Sequence, residues 1–181
     1  MGNGLFVDMG NLHELSDVET RSLSAENPNG EKGKGGMADI EPGKGAAREL
    51  GRGWKVRPCV HMKPGETVTF ADIAGPGAIQ QMWFVPNGPL RNCIFRVYWD
   101  DQKHPSIECP VGDFFCAGWG GYAQLSSLAV CLNPGSGMNC YWPMPFRKRC
   151  RMTMENRNTE HHVSFFYQVN YALGPVADDA A

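Results

Sequence analysis

The chain has no strong excess of charge of either sign. Its 181 residues carry 17 Lys and Arg against 19 Asp and Glu, for a formal net charge of −2. That balance calls for neither nucleic acid nor an anionic membrane as partner. No apolar run approaches the ~20 residues of a membrane-spanning helix. The opening stretch, MGNGLFVDMGNLHEL, lacks the basic segment followed by an apolar one that marks a secretory leader. Gly2 invites N-myristoylation, but Phe6 stands where that signal wants Ser or Thr. The simplest expectation is a cytoplasmic protein.

Several chemistries are also missing. No two of the seven cysteines sit at CxxC spacing, which argues against a zinc knuckle or a thioredoxin-like motif. Their odd count argues against a complete disulfide framework. Most lie in apolar stretches and read as small buried hydrophobes in a reducing compartment. His161-His162 reads as a solvated turn, and His61 and His104 lack partners at ligand spacing. No metal and no cofactor is expected. There is no GxSxG elbow for a serine nucleophile.

What is present is turn chemistry and short apolar segments. Gly (22) and Pro (13) favour many turns over long helices. From Trp54 onward, WKVRPCV, ETVTFADI, AIQQMWFVP, NCIFRVYW, SLAVCL, RCRMTMEN and HVSFFYQVNY recur every 10 to 15 residues, several with period-two alternation. Turn signals such as Pro64-Gly65, Asn87-Gly88 and Asn133-Pro134-Gly135 separate them. No stretch there is a helix long enough to cross over a parallel sheet. The pattern predicts an all-β fold, an antiparallel β-sandwich of eight or so strands, with a jelly roll as the leading arrangement. Ahead of it, Leu12, Leu15 and Val18 fall on one side of a short, weakly amphipathic helix over residues 11–20. The expected division is residues 1–53, a helix and glycine-rich loop packing on the sandwich, and 54–181, the jelly-roll domain. Arg147, Lys148, Arg149 and Arg151 alternate with apolar residues and read as a solvated strand face.

The glycine-rich loop RSLSAENPNGEKGKGG fails as a phosphate cradle. From Gly30 the second glycine of a Walker loop is Gly35, but Gly36 and Met37 follow where Lys and Ser or Thr are required. A flexible linker competes for residues 33–53, while Asn27-Pro28-Asn29-Gly30 makes Arg21 to Lys32 a shaped turn. A second motif, PVGDFFCAGWGG, combines a tight bend at Gly112, the carboxylate of Asp113 and the flat surfaces of Phe114, Phe115 and Trp119. It reads equally as a sugar-facing site or as a strand end whose Asp makes a turn bond. A third, NCYWPMPFRK, has two prolines in three residues. They exclude a central strand and hold Tyr141, Trp142 and Phe146 on a rigid segment beside Arg147. Those residues suit a sugar pocket or a subunit contact, with at least two of the aromatics expected in the core.

Four segments together carry a resemblance. SAENPNGEKGKGG, ARELGRGWKVRPCVHMKPGETVTFADIAGPGAIQQMWF, RVYWDDQKHPSIECPVGDFF and GMNCYWPMPFRKRCRMTMEN stand in the order found in the N-terminal half of glycoside hydrolase family 172, which the chain resembles from about Arg21 to its end. The resemblance implies one roll of a double jelly roll, assembly into trimers or hexamers or pairing with a second jelly-roll chain, and furanoside chemistry on D-fructofuranosides or D-arabinofuranosides. It places the glycine-rich loop near the pocket, making Glu26 and Lys32 candidate ligands, and it favours a site role for Asp113. The candidate substrate-binding set is Glu26, Lys32, Asp113, Phe114, Tyr141, Trp142 and Arg147, with Asp113 and Glu26 the candidates for catalysis. Glu31 and Glu108 are further carboxylates, and Glu108 is expected on a strand and exposed. The resemblance puts the family's nucleophile glutamate in a GTGTEDYF-like segment of the second roll, which the 181 residues do not contain. Two departures stand out: Asn29 occupies a place that often holds Thr, and Trp119 lies in a segment that often holds His. The alternative is a non-catalytic jelly-roll module that binds sugar or oligomerises.

Overall fold

A computed structural model describes residues 4–40, 45 and 47–180. Gly2 and the Pro42–Lys44 part of the glycine-rich run lie outside the described residues. Among the described residues, twelve strands form two antiparallel sheets. The smaller sheet is ordered β3 (Thr67–Ala74), β11 (Arg149–Asn156), β5 (Cys93–Trp99), β6 (Ile107–Pro110). The larger runs β1 (Glu19–Ser24), β12 (Val163–Leu173), β4 (Gly77–Asn87), β9 (Met138–Cys140), β8 (Val130–Leu132), β7 (Leu125–Ser126). Two short strands extend it: β2 (Val60–Met62) beside β12 and β10 (Met144–Phe146) beside β4. The antiparallel all-β sandwich expected from the alternation is what forms, with more and shorter strands than eight.

Period-two burial builds the core between the sheets. β12 turns Val163, Phe165, Tyr167, Val169 and Tyr171 inward, and β11 turns Cys150, Met152 and Met154 inward. The central rings pack edge to face. Phe84 lies 5.3 Å from Phe70, 5.2 Å from Phe165 and 5.5 Å from both Phe95 and Phe115. Each such ring contributes about 1.5–3 kcal/mol by burial, and the edge-to-face pairs add about 0.5–1.5 kcal/mol.

The outer face of the smaller sheet is polar. On the smaller sheet, Arg149 bridges Asp72 and Asp101, and Arg96 bridges Glu108 and Glu155. The Arg151 guanidinium lies 3.6 Å over the Tyr98 ring. At one end of the larger sheet the chain covers its own outer face: Leu5, Phe6, Val18 and Val176 pack on Ala78 and Ala172.

Four expectations need correction. Residues 11–20 form no helix. Side chains capture the local backbone instead: Asp8 Oδ1 accepts from the Gly10 amide at 2.6 Å, and Asn11 Oδ1 accepts from the Asp8 amide at 2.8 Å. Such bonds compete with helix formation. From Glu19 the chain is then drawn into the ladder with β12, leaving Leu12 and Leu15 exposed. WKVRPCV is a strand only from Val60, because Pro58 lacks the N–H a ladder needs. Of NCYWPMPFRK, Phe146 alone among the three aromatics is buried, on β10, whose partner is β4; Tyr141 and Trp142 stay half exposed. Of the seven free thiols, Cys93, Cys140 and Cys150 are buried, while Cys116 is exposed. Burial pushes the Cys93 and Cys140 thiols up to about 11. Among the described residues no helix is long and apolar enough to cross a membrane.

Candidate functional site

The strongest constellation begins where β6 ends. Pro110 closes the strand, and the next four residues make a single helical turn, α1 (Val111–Phe114). Gly112 permits the fold-back that follows. A Cβ there would stand 2.8 Å from the Ala117 carbonyl and 3.2 Å from the Leu90 Cβ. The Gly112 carbonyl accepts from the amides of Phe115 at 3.2 Å and Ala117 at 2.7 Å, and Cys116 takes up a left-handed φ of 63° between them. Residues 115–121 are thereby returned past Asp113.

Arg91 fixes that return. It lies in the 3-10 turn Leu90–Asn92 between β4 and β5, and its Nη1 donates to Asp113 Oδ1 at 2.8 Å, Oδ2 at 3.2 Å and the Gly118 carbonyl at 2.6 Å. The guanidinium side chain is 56% exposed and the carboxylate 33%. A pair so open contributes at most about 1 kcal/mol to stability. What it supplies is orientation: a carboxylate held at the surface, with lone pairs free to accept from hydroxyls.

Beside it stands an aromatic edge. The Phe114 ring lies 5.1 Å from Phe95, 5.0 Å from Phe115 and 5.6 Å from Trp142. Tyr141 and Trp142 are 47% and 45% exposed. Burial and the neighbouring Cys131 push the Tyr141 hydroxyl up. An open cleft of about 200 Å³ adjoins, lined by Pro86, Leu90, Gly120, Gly121, Tyr122 and Met138 among others. Two motifs far apart in sequence, PVGDFF and NCYWPMPF, therefore meet through Phe114 and Trp142, 28 residues apart.

The other candidates sit elsewhere. Glu26 lies in the turn after β1, whose shape is set by Asn27: its side chain donates to the Glu31 carbonyl at 3.0 Å and accepts from the Glu31 amide at 3.1 Å. Glu26 Oε1 accepts from the Arg57 amide, while Oε2 is buried with no partner. Lys32 points into solvent. Arg147 donates to the carbonyls of Ala177, Asp178 and Ala180, so its guanidinium holds the C-terminal tail. Glu108 lies on β6, exposed, and pairs with Arg96 at 2.9 Å. Glu26, Glu108 and Asp113 are thus each held by a different element. Among the described residues no three His, Cys, Asp or Glu side chains gather to hold a metal ion.

Sequence reasoning did not single out Arg91. Its partner lies 22 residues away across β5 and β6, and a lone arginine in NGPLRN carries no pattern of its own.

Residues 55–168 match the GH172 domain-like family. The chain belongs to that family. The match includes Asp113, Phe114, Tyr141, Trp142 and Arg147, and begins after Glu26 and Lys32. No curated protein matches the chain. Among solved structures, that of the infectious bursal disease virus Gx strain is similar, at 10% identity and a TM-score of 0.37. The alignment covers 87% of this chain and 32% of that one, so the chain spans about a third of its length.

Proposed function

We propose that this GH172-family chain presents a furanoside-binding wall, for ligands of the D-fructofuranoside or D-arabinofuranoside class, as a single jelly roll that works with a second one. Family membership supports the glycoside class. The observation that carries the reading is the Asp113 carboxylate, clamped by Arg91 beside the Phe114–Trp142 edge. Sugars are recognised by that combination: a fixed carboxylate accepts from ring hydroxyls, and aromatic surface packs against C–H faces.

Glycoside hydrolysis needs two carboxylates flanking the scissile bond, about 5–5.5 Å apart for retention or about 6.5–9.5 Å for inversion. Asp113 is assigned to hydroxyl recognition, and the bond-cleaving glutamates to the second roll, whether in the same polypeptide or in a partner chain. The apolar surface around Met9, Leu12 and Leu128, which are 86%, 62% and 95% exposed and border one cleft with Tyr141, is the face assigned to that roll or to further copies of this chain.

The test is binding and turnover of nitrophenyl furanosides (D-fructo, D- and L-arabino, galacto) by wild type and Asp113→Asn. Loss of charge-assisted hydrogen bonds worth about 1.5–3 kcal/mol should weaken binding roughly ten- to a hundredfold. Unchanged binding in the variant removes the assignment.

A further inference from the structure

Cys59, His61 and Ser164 meet on the outer face of the larger sheet. β2 pairs with β12 so that His61 stands opposite Ser164, while Met62, Val163 and Phe165 turn into the core. Alternation along the strands puts His61 and Ser164 outward, and Cys59, two residues ahead of His61, falls on the same side. The side chains then close on one another. Cys59 Sγ lies 3.8 Å from His61 Nε2, and His61 Nδ1 lies 3.0 Å from Ser164 Oγ. The Ser164 side chain also hydrogen-bonds the Cys59 sulfur.

Nucleophile, base and orienting group stand in the order that base-assisted attack requires. With Nδ1–H donating to Ser164 Oγ, the Nε2 lone pair faces the thiol. Among the described residues Cys59 is the one free thiol in contact with a histidine ring. Burial raises the Cys59 thiol, and the Ser164 bond and the Lys55 charge offset only part of that. The thiol therefore keeps its proton near neutral pH. The thiolate is the nucleophile, so reaction at this sulfur depends on a base within reach. His61 is that base.

We propose that Cys59 is a site of covalent modification by hydroperoxides, with His61 taking the thiol proton and Ser164 positioning the imidazole. The sulfur attacks one peroxide oxygen; the S–H and O–O bonds break and an S–O bond forms. The proton passes by way of His61 Nε2 to the departing hydroxide, which leaves as water. Sulfur loses two electrons to become a sulfenic acid, and the peroxide gains them. Cys59 is partly exposed and His61 exposed, so a reagent this small reaches the sulfur from solvent. The hydroxide it releases also takes up the proton that His61 removes.

The intact chain is treated with equimolar hydrogen peroxide in the presence of dimedone, which traps sulfenic acid, and peptide mass spectrometry follows the label at each cysteine. In wild type, Cys59 should label faster than Cys116, the exposed thiol. His61→Ala should slow labelling of Cys59 at least about tenfold, against the roughly 10²–10⁴-fold that a positioned base supplies in enzymes, and leave Cys116 within about twofold. Ser164→Ala should slow it severalfold, and Ser164→Thr, which keeps a hydroxyl, should restore it. These side chains face outward, so the variants keep the fold, and circular dichroism checks this. Faster labelling of Cys116 than of Cys59 in wild type, equal rates at Cys59 in wild type and His61→Ala, or no label at Cys59 each overturns the proposal. The furanoside reading stands or falls separately, on ligand binding.

Discussion

Gly112→Ala tests whether the turn that carries Asp113 is set by close packing. The added methyl would sit 2.8 Å from the Ala117 carbonyl oxygen and 3.2 Å from the Leu90 Cβ. Comfortable carbon contacts begin near 3.5 Å, so the backbone of residues 111–117 must open by roughly half an ångström or more. The obstacle is a backbone carbonyl that already accepts from the Gly120 amide at 3.0 Å, not the end of a flexible side chain. Overpacking of this kind costs about 1–3 kcal/mol. The loss of glycine's freedom in the unfolded chain offsets about 0.4–1 kcal/mol, leaving a net destabilisation of about 1–2 kcal/mol. At this chain length that is a melting temperature lower by roughly 2–8 °C. Thermal melts followed by circular dichroism measure it, with Gly121→Ala as the control. A Cβ on Gly121 meets nothing within 4 Å, so that variant should stay within about 0.5 kcal/mol of wild type. Opening the turn also moves Asp113 away from Arg91, so the proposed furanoside binding should fall in Gly112→Ala alone. Equal melting of the two variants, with equal binding, would refute the packing argument.

Two further outcomes follow from polar groups. Asn156 is fully buried; its side chain donates to the carbonyls of Met62, Lys63 and His161 and accepts twice from Asn158. Asn156→Ala leaves those groups unpaired and should cost about 2–4 kcal/mol in urea unfolding. On the smaller sheet, the side-chain bond from Arg149 holds the Asp72 carboxyl below its ordinary range. Burial raises the Asp100 carboxyl, but the amides of Arg147, Lys148 and Arg149 outweigh it and hold it low as well. A lowered folded-state value stabilises above the ordinary carboxyl range near pH 4 and is lost as pH falls through it. Asp100→Asn should therefore be less stable at about pH 7 and lose less stability than wild type on acidification to about pH 3, read from urea midpoints.

Legibility in the sequence followed the range of the interactions. RCRMTMEN is a strand from end to end because Cys150, Met152 and Met154 alternate with polar residues, and one segment carries that whole signal. Glu19–Ser24 showed no such pattern: Leu23 is its one large apolar residue, and its pairing with Gln168–Leu173 spans almost the length of the chain. The amphipathic spacing of Leu12, Leu15 and Val18 suggested a helix because nothing local revealed that sheet edge. At the site the same division holds. Gly112, Asp113 and the aromatics stood out together, since a bend, a carboxylate and flat rings within one short run have few uses. The joining of Phe114 to Trp142 and the clamp from Arg91 depend on tertiary folding and left no trace in either motif.

The rings also explain why this corner can hold a fixed site at all. Contacts run without a break from Phe84 at the centre of the sandwich to Phe95 and Phe115, then to Phe114, then to the half-exposed Trp142. Each ring is braced by the one beneath it, so the aromatic edge inherits the rigidity of the core instead of depending on a surface loop. Asp113 precedes Phe114 in the same turn and is tied through Arg91 to a second element, the turn between β4 and β5. The carboxylate is thereby fixed from two directions, so a ligand at the proposed site would meet little ordering entropy. Glu26 has one anchor, the Arg57 amide, and a buried oxygen still unsatisfied. Access separates the two candidates: the second oxygen of Glu26 is buried, while the Asp113 side chain is 33% exposed.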